Sequence, residues 1–208
     1  MPCLYVLAGT NGAGKSSIGG AAFRERGADY FNPDEVAQRI RRAHPRLTPE
    51  QVNSASWFQG KRLLERAIEA RLDFAFETTL GGDTIASLLE GALSDGIDVR
   101  IWYVALGSPE LHIARVRARV AKGGHDIPET KVRERYDRSR LNLIRLLPKL
   151  TELRVYDNSV EADPAAGHAP RLMLILHTVK GRRVAGCDLR KVPQWAKAIV
   201  AVALRLNV

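Results

Sequence analysis

Leu4-Tyr5-Val6-Leu7-Ala8-Gly9-Thr10-Asn11-Gly12-Ala13-Gly14-Lys15-Ser16 is an apolar run that closes in the spaced pattern Gly9-x-x-x-x-Gly14-Lys15-Ser16. The run predicts a buried strand, and a helix is expected over about 15–26. A Gly-rich turn between a strand and a helix is a phosphate-binding loop. Its backbone N–H groups face a polyphosphate at the positive end of the helix dipole. Gly9, Gly12 and Gly14 supply the tight turns. In this motif Lys15 reaches the β- and γ-phosphates, and the Ser16 hydroxyl is placed for Mg²⁺. The loop segment Gly9, Thr10, Asn11, Gly12, Ala13, Gly14, Lys15, Ser16 and Ser17 is therefore the expected seat of a nucleoside triphosphate.

Working outward, apolar runs alternate with helical patterns, which predicts a mostly parallel sheet flanked by helices, the α/β architecture of P-loop NTPases. Strands are expected over 4–8, 30–32, 74–78, 99–106 and 153–156, and a hairpin over 172–179 and 182–185 turns at Lys180-Gly181. Thr48-Pro49-Glu50-Gln51 carries an N-cap, a first-turn proline and a capping-box glutamine, and Ser108-Pro109-Glu110 repeats the cap and proline. Those helices are expected to reach about residues 70 and 122, with others over about 128–147 and 193–206. Two arginine-rich helices flank Lys122-Gly123-Gly124-His125-Asp126-Ile127-Pro128, so residues of about 115–138 read as a small helical lid.

Length and composition narrow the class. At 208 residues the chain suits a single domain over 1–208. The net charge of +9 admits either a nucleic-acid surface or a pocket for small polyanions. Several of the basic residues fall in one central helical segment, which favours phosphate handling and makes a nucleic-acid partner the weaker reading. Cys3 and Cys187 have no metal-ligand or redox spacing, so a cytoplasmic compartment is expected. The apolar stretch over 196–206 is too short for a bilayer and is interrupted by Lys197 and Arg205, so no membrane partner is expected.

The carboxylates must decide what the triphosphate is for. Asp34 follows a short strand in Asn32-Pro33-Asp34-Glu35, where a carboxylate could take a proton from an acceptor hydroxyl, or could cap the helix starting near Glu35. Both readings stand at this level. Glu77 ends an apolar strand and is the candidate for ordering a metal-bound water or gripping substrate, against pairing with a nearby arginine. Arg115, Arg119 and Lys122 share a helical face, with Arg135 and Arg138 across the glycine loop, and any of them could meet a transferred phosphoryl group. His125 is a single loop histidine, and Thr79-Leu80-Gly81-Gly82-Asp83 is a chance likeness to a transporter-ATPase signature. No Asn-Lys-x-Asp stretch reads guanine, which argues against a regulatory GTPase.

Together these motifs resemble the zeta-toxin family of P-loop kinases, in its short form. The matching residues are the loop over 8–16, Asn32-Pro33-Asp34, Phe76-Glu77-Thr78-Thr79-Leu80, the lid over 115–129, Arg135-Tyr136 and Tyr156-Asp157-Asn158-Ser159. The resemblance implies an ATP- and Mg²⁺-dependent kinase of the sugar 3′-hydroxyl of UDP-N-acetylglucosamine, held in check by an antitoxin protein. By matching position it makes Asp34 the base and places Lys15 and Ser16 on ATP and Mg²⁺. It likewise puts Glu77 and Thr78 on substrate, with Arg119 and Arg135 on the transferred phosphoryl group. A kinase for another nucleotide or small metabolite, without a toxic role, is the alternative, and a nucleic-acid-associated ATPase the third reading.

Overall fold

The first strand, β1 (Cys3–Ala8), is apolar on both faces and forms parallel ladders on both sides. That is what a continuous aliphatic run demands, because water is then excluded from both surfaces of the strand. The computed structural model describes residues 1–15, 30–124, 126–160 and 172–206. Ser16, Ser17, the helix expected to run on to Arg26, and His125 lie outside the described residues.

The elements after β1 are β2 (Tyr30–Phe31), α1 (Pro33–Ala43), α2 (Pro49–Glu69), β3 (Phe74–Thr78), α3 (Asp83–Ser94) and β4 (Asp98–Ala105). Then come α4 (Pro109–Ala121), α5 (Glu129–Leu146), β5 (Glu152–Asp157), β6 (Met173–Val179), β7 (Arg182–Gly186) and α6 (Lys197–Arg205). Among the described residues, seven strands form one sheet in the order β2-β3-β1-β4-β5-β6-β7. The pairings from β2 to β5 are parallel, and β6 and β7 add antiparallel at one edge. This is the expected α/β sheet with its arginine-rich lid and its C-terminal hairpin and helix.

Alternate residues of the central strands feed opposite faces. Leu4, Val6, Ile101 and Tyr103 enter the main core, while Leu7, Ala75 and Val104 build a smaller cluster on the other side. The lid has its own nucleus, in which Ile113 and Val116 of α4 meet Val132 of α5, with Val120 and Ile127 at its margin. The outermost strand β7 is exposed throughout and carries Arg182 and Arg183, which discourages a further strand from pairing there.

Local chemistry explains the boundaries. Thr48 and Gln51 form the reciprocal capping box at the start of α2, and Ser108 caps α4. The expected helix over 193–206 starts later, because residues 194–196 tighten into a 3₁₀ turn. There the Trp195 indole N–H donates to Asp157 Oδ2 at 3.3 Å. α3 carries no sequence signal at its start, since Gly82 occupies its N-cap without a side-chain bond. No described helix is long and apolar enough to cross a membrane.

The β6–β7 turn holds Lys180 at φ 48° and Gly181 at φ 75°, so both central residues are left-handed. Lysine pays a steric penalty there that asparagine largely avoids. Lys180→Asn should therefore raise the unfolding free energy by about 0.5–1 kcal/mol, read by denaturant titration. Unchanged or lower stability would contradict the turn assignment.

Candidate active site

Beyond the carboxyl ends of the parallel strands the chain leaves β1 into the glycine loop, pinned by Gly9 N–H donating to the Thr78 carbonyl at 3.2 Å. In open α/β sheets this is where ligands bind. Two glycines are required by what lies beneath the loop. A Cβ on Gly9 would stand 2.0 Å from the Val104 carbonyl oxygen, and one on Gly12 would stand 2.6 Å from that of His112. Gly12 and Gly14 also adopt φ 81° and 84°, which L side chains rarely do.

Lys15 is buried at 7% exposure, so its ammonium must find partners inside the protein. It donates to the Gly9 carbonyl at 2.7 Å and lies 3.5 Å from Glu77 Oε1. Among the described residues, Glu77 is therefore paired with a lysine. Its other oxygen accepts from the Tyr30 hydroxyl at 2.9 Å and from Asn32 Nδ2 at 3.4 Å.

Asn32 settles one of the two readings of Asp34. Its side-chain oxygen accepts from the Asp34 and Glu35 backbone N–H groups at 2.9 and 3.3 Å, so Asn32 and not Asp34 caps α1. The Asp34 carboxylate is free of that duty, and Arg119 Nη1 donates to its Oδ2 at 3.2 Å. Both side chains are more than a third exposed, and such a pair adds at most about 1 kcal/mol to stability.

Arg135 is more enclosed. Its Nη1 donates to Asn11 Oδ1 in the loop at 2.9 Å. Burial lowers its pKa from the usual guanidinium value, against the opposing pull of Glu134 and Asp34. Of the other lid cations, Lys122 is exposed, and Arg138 pairs with Asp83 at 2.6 Å. Arg115 donates to the Asn158 carbonyl at 2.8 Å, and Asn158 Nδ2 donates to the Ala13 carbonyl at 2.9 Å, so it braces the loop from beneath. Thr78 Oγ1 accepts from the Leu80 N–H at 3.0 Å, where Leu80 takes φ 53°.

Asn11, Asp34, Glu77, Thr78 and Arg135 line one cleft of about 630 Å³, whose far wall is α2 with Trp57 and Lys61. Among the described residues no cluster of three or more His, Cys, Asp or Glu side chains is placed to hold a metal ion, and the metal candidate Ser16 lies outside them. The buried ammonium and the side-chain-free turns at Gly12 and Gly14 suit a polyphosphate.

His112 escapes sequence reasoning, since a histidine inside an amphipathic helix carries no motif. It is wholly buried under the loop. Leu106 N–H donates to Nε2 at 3.2 Å, so Nε2 is bare and Nδ1–H donates to the Asn11 carbonyl at 2.8 Å. Burial, reinforced by the charges of Lys15 and Arg115, pushes its pKa down to about 4, although the bond to Asn11 opposes the shift.

The Zeta toxin family model matches residues 1–163. An uncharacterized protein of Haemophilus influenzae is 33% identical over 129 residues, which is 62% of this chain and 88% of that protein. The AvrRxo1-ORF1:AvrRxo1-ORF2 complex with ATP contains a chain of similar fold, with a TM-score of 0.62 at 16% identity over 98% of this chain. The present chain spans 64% of that chain's length. The PezAT chromosomal toxin–antitoxin system of Streptococcus pneumoniae gives a TM-score of 0.56 at 13% identity, covering 100% of this chain and 86% of that one. At such identities these structures share the fold.

A neutral native His112 predicts a pH dependence. The unfolded chain takes up a proton near 6.5 and the native protein only near 4, so stability is present above 6.5 and is lost as pH falls between these values. From pH 7 to 4.5 the wild type should lose about 2–3 kcal/mol more than His112→Gln in denaturant unfolding. Equal losses would contradict the neutral, loop-bracing histidine.

Proposed function

This chain belongs to the zeta toxin family, and on that premise we propose that it transfers the γ-phosphate of ATP to a sugar hydroxyl of UDP-N-acetylglucosamine. The observation that carries the reading is the Asp34 carboxylate. It lies beyond the strand ends, freed from capping by Asn32, and in the same cleft as the loop residue Asn11 and Arg135.

In the proposed reaction the acceptor hydroxyl oxygen bonds to the γ-phosphorus and the bond from that phosphorus to the β-bridging oxygen breaks. The hydroxyl proton passes to Asp34, and ADP leaves with the electron pair. The loop over 9–17 with Lys15 holds the nucleotide, and Arg119 and Arg135 stabilise charge on the transferred group. Glu77 and Thr78 face the acceptor. Mg²⁺, held by Ser16, would neutralise charge between the β- and γ-phosphates. Positioning and charge compensation supply nearly all the catalysis in such a transfer, which suits a site where Arg135 and the Asp34 carboxylate line one cleft.

An antitoxin partner and a cytoplasmic setting go with this reading, as does a single kinase domain over 1–208. PezAT, whose structure shares this fold, is a toxin–antitoxin system, and the two cysteines are free thiols. The nucleic-acid reading is weakened by the lid itself. Arg117 pairs with Glu129, Arg133 with Glu110, Lys131 with Glu134, and Arg138 with Asp83, so much of the basic surface is internally compensated.

The test is to mix protein, Mg-ATP and UDP-N-acetylglucosamine and look by mass spectrometry for a product heavier by one phosphate. Asp34→Asn should cut turnover about 10²-fold or more while nucleotide binding, measured by calorimetry, survives. Product formation indifferent to Asp34→Asn would remove Asp34 as the base. Absence of product with ATP still bound would remove this acceptor and favour the metabolite-kinase reading.

A further inference from the structure

Residues 79–83, between β3 and α3, run along one face of α5. Ser139 Oγ donates to the Thr79 carbonyl at 2.6 Å, and Asn142 Nδ2 donates to the carbonyls of Leu80 and Gly82 at 3.0 and 3.3 Å. Arg138 reaches Asp83 from the neighbouring row. Ser139 and Asn142 are buried, and with Arg135 they share one face of the helix by their i, i+4, i+7 spacing. At the head of that face the stem of Arg135 lies on Gly81. A Cβ at position 81 would stand 2.7 Å from Arg135 Cγ and 3.1 Å from its Cβ. Gly81 is not among the left-handed residues, so what this position demands is space.

Apolar packing alone tolerates a helix sliding along its axis. Hydrogen bonds to successive carbonyls do not, since a slip of one residue moves every side chain about 1.5 Å and turns it around the axis. We propose that the 79–83 turn is a rail that sets the register of α5, and that Gly81 is the positioning residue aiming Arg135 at the phosphate loop. The turn that reads in the sequence as a chance likeness thereby acquires a part in the site. This rests on the reading of Arg135 as a phosphate-contacting residue, although the geometry it explains, Arg135 Nη1 on Asn11 Oδ1, is independent of any reaction.

The experiment therefore has two readouts. In NMR spectra of the full chain, the side-chain amide resonances of Asn11 report its bond to Arg135. Gly81→Ala should shift them as Arg135→Ala does, with the thermal midpoint close to wild type. In kinetics, Gly81→Ala should lower kcat about tenfold or more while KM for ATP changes about twofold at most. In an Arg135→Ala background, Gly81→Ala should cost less than about twofold further, because the colliding Cγ is gone. Asn142→Ser, which removes two rail bonds without adding bulk, should move both readouts in the same direction. Unmoved Asn11 resonances in both variants, or equal rate losses from Gly81→Ala with and without Arg135, would overturn the proposal. Shifted resonances in a protein without kinase activity would leave the rail standing and remove the catalytic reading of Arg135.

Discussion

The buried ammonium of Lys15 is the constraint from which the site follows. A charge so placed has to be compensated, and leaving one partner of a buried pair alone costs several kcal/mol. The Gly9 carbonyl and Glu77 meet that need. Glu77 is held in turn by Tyr30 and Asn32, and Asn32 spends its remaining side-chain oxygen on the first turn of α1, which presents Asp34. Asp34 in turn meets Arg119 of the lid. One chain of polar contacts thus runs from the loop through the ends of β3 and β2 to the lid. Each link satisfies a group that the previous one makes expensive to leave bare.

The two arginines Arg119 and Arg135 differ in kind, and only Arg135 of the two lines the cleft. Arg119 meets Asp34 in a half-exposed pair of small energetic weight, so it can change partners at little cost. Arg135 is enclosed, its stem on Gly81 and its head on Asn11, while His112 holds the Asn11 carbonyl from below. The glycine after the lid turn contributes to the first case. A Cβ on Gly124 would stand 2.8 Å from the Arg119 carbonyl oxygen and 2.6 Å from its Cγ. Glycine thus serves twice in the lid region as room for an arginine.

Much of this was legible in the residues. β3 spans the expected positions, the Thr48–Gln51 capping box and the Lys180-Gly181 hairpin stand where the sequence places them, and the family match covers residues 1–163. Local signals sufficed there because capping and turn chemistry act over a few residues. α3 was missed because Gly82 gives no capping signal, and the C-terminal helix starts late because Trp195 answers to Asp157 on the sheet. At Asn32-Pro33-Asp34 two residues could cap the same helix, and only the fold selects Asn32. Glu77 with Lys15, the bracing by His112, and the 79–83 rail are contacts between distant segments, which no spacing rule reveals.

The claim that Glu77 exists to compensate Lys15 is tested most directly by thermal unfolding of Glu77→Gln, with and without Mg-ATP. The account predicts that the nucleotide-free variant loses roughly 3 kcal/mol, because the ammonium is left uncompensated. It also predicts that nucleotide stabilises the variant more than the wild type, because phosphate supplies the missing counter-charge. A nucleotide-free variant as stable as wild type, with the same gain from nucleotide, would contradict it.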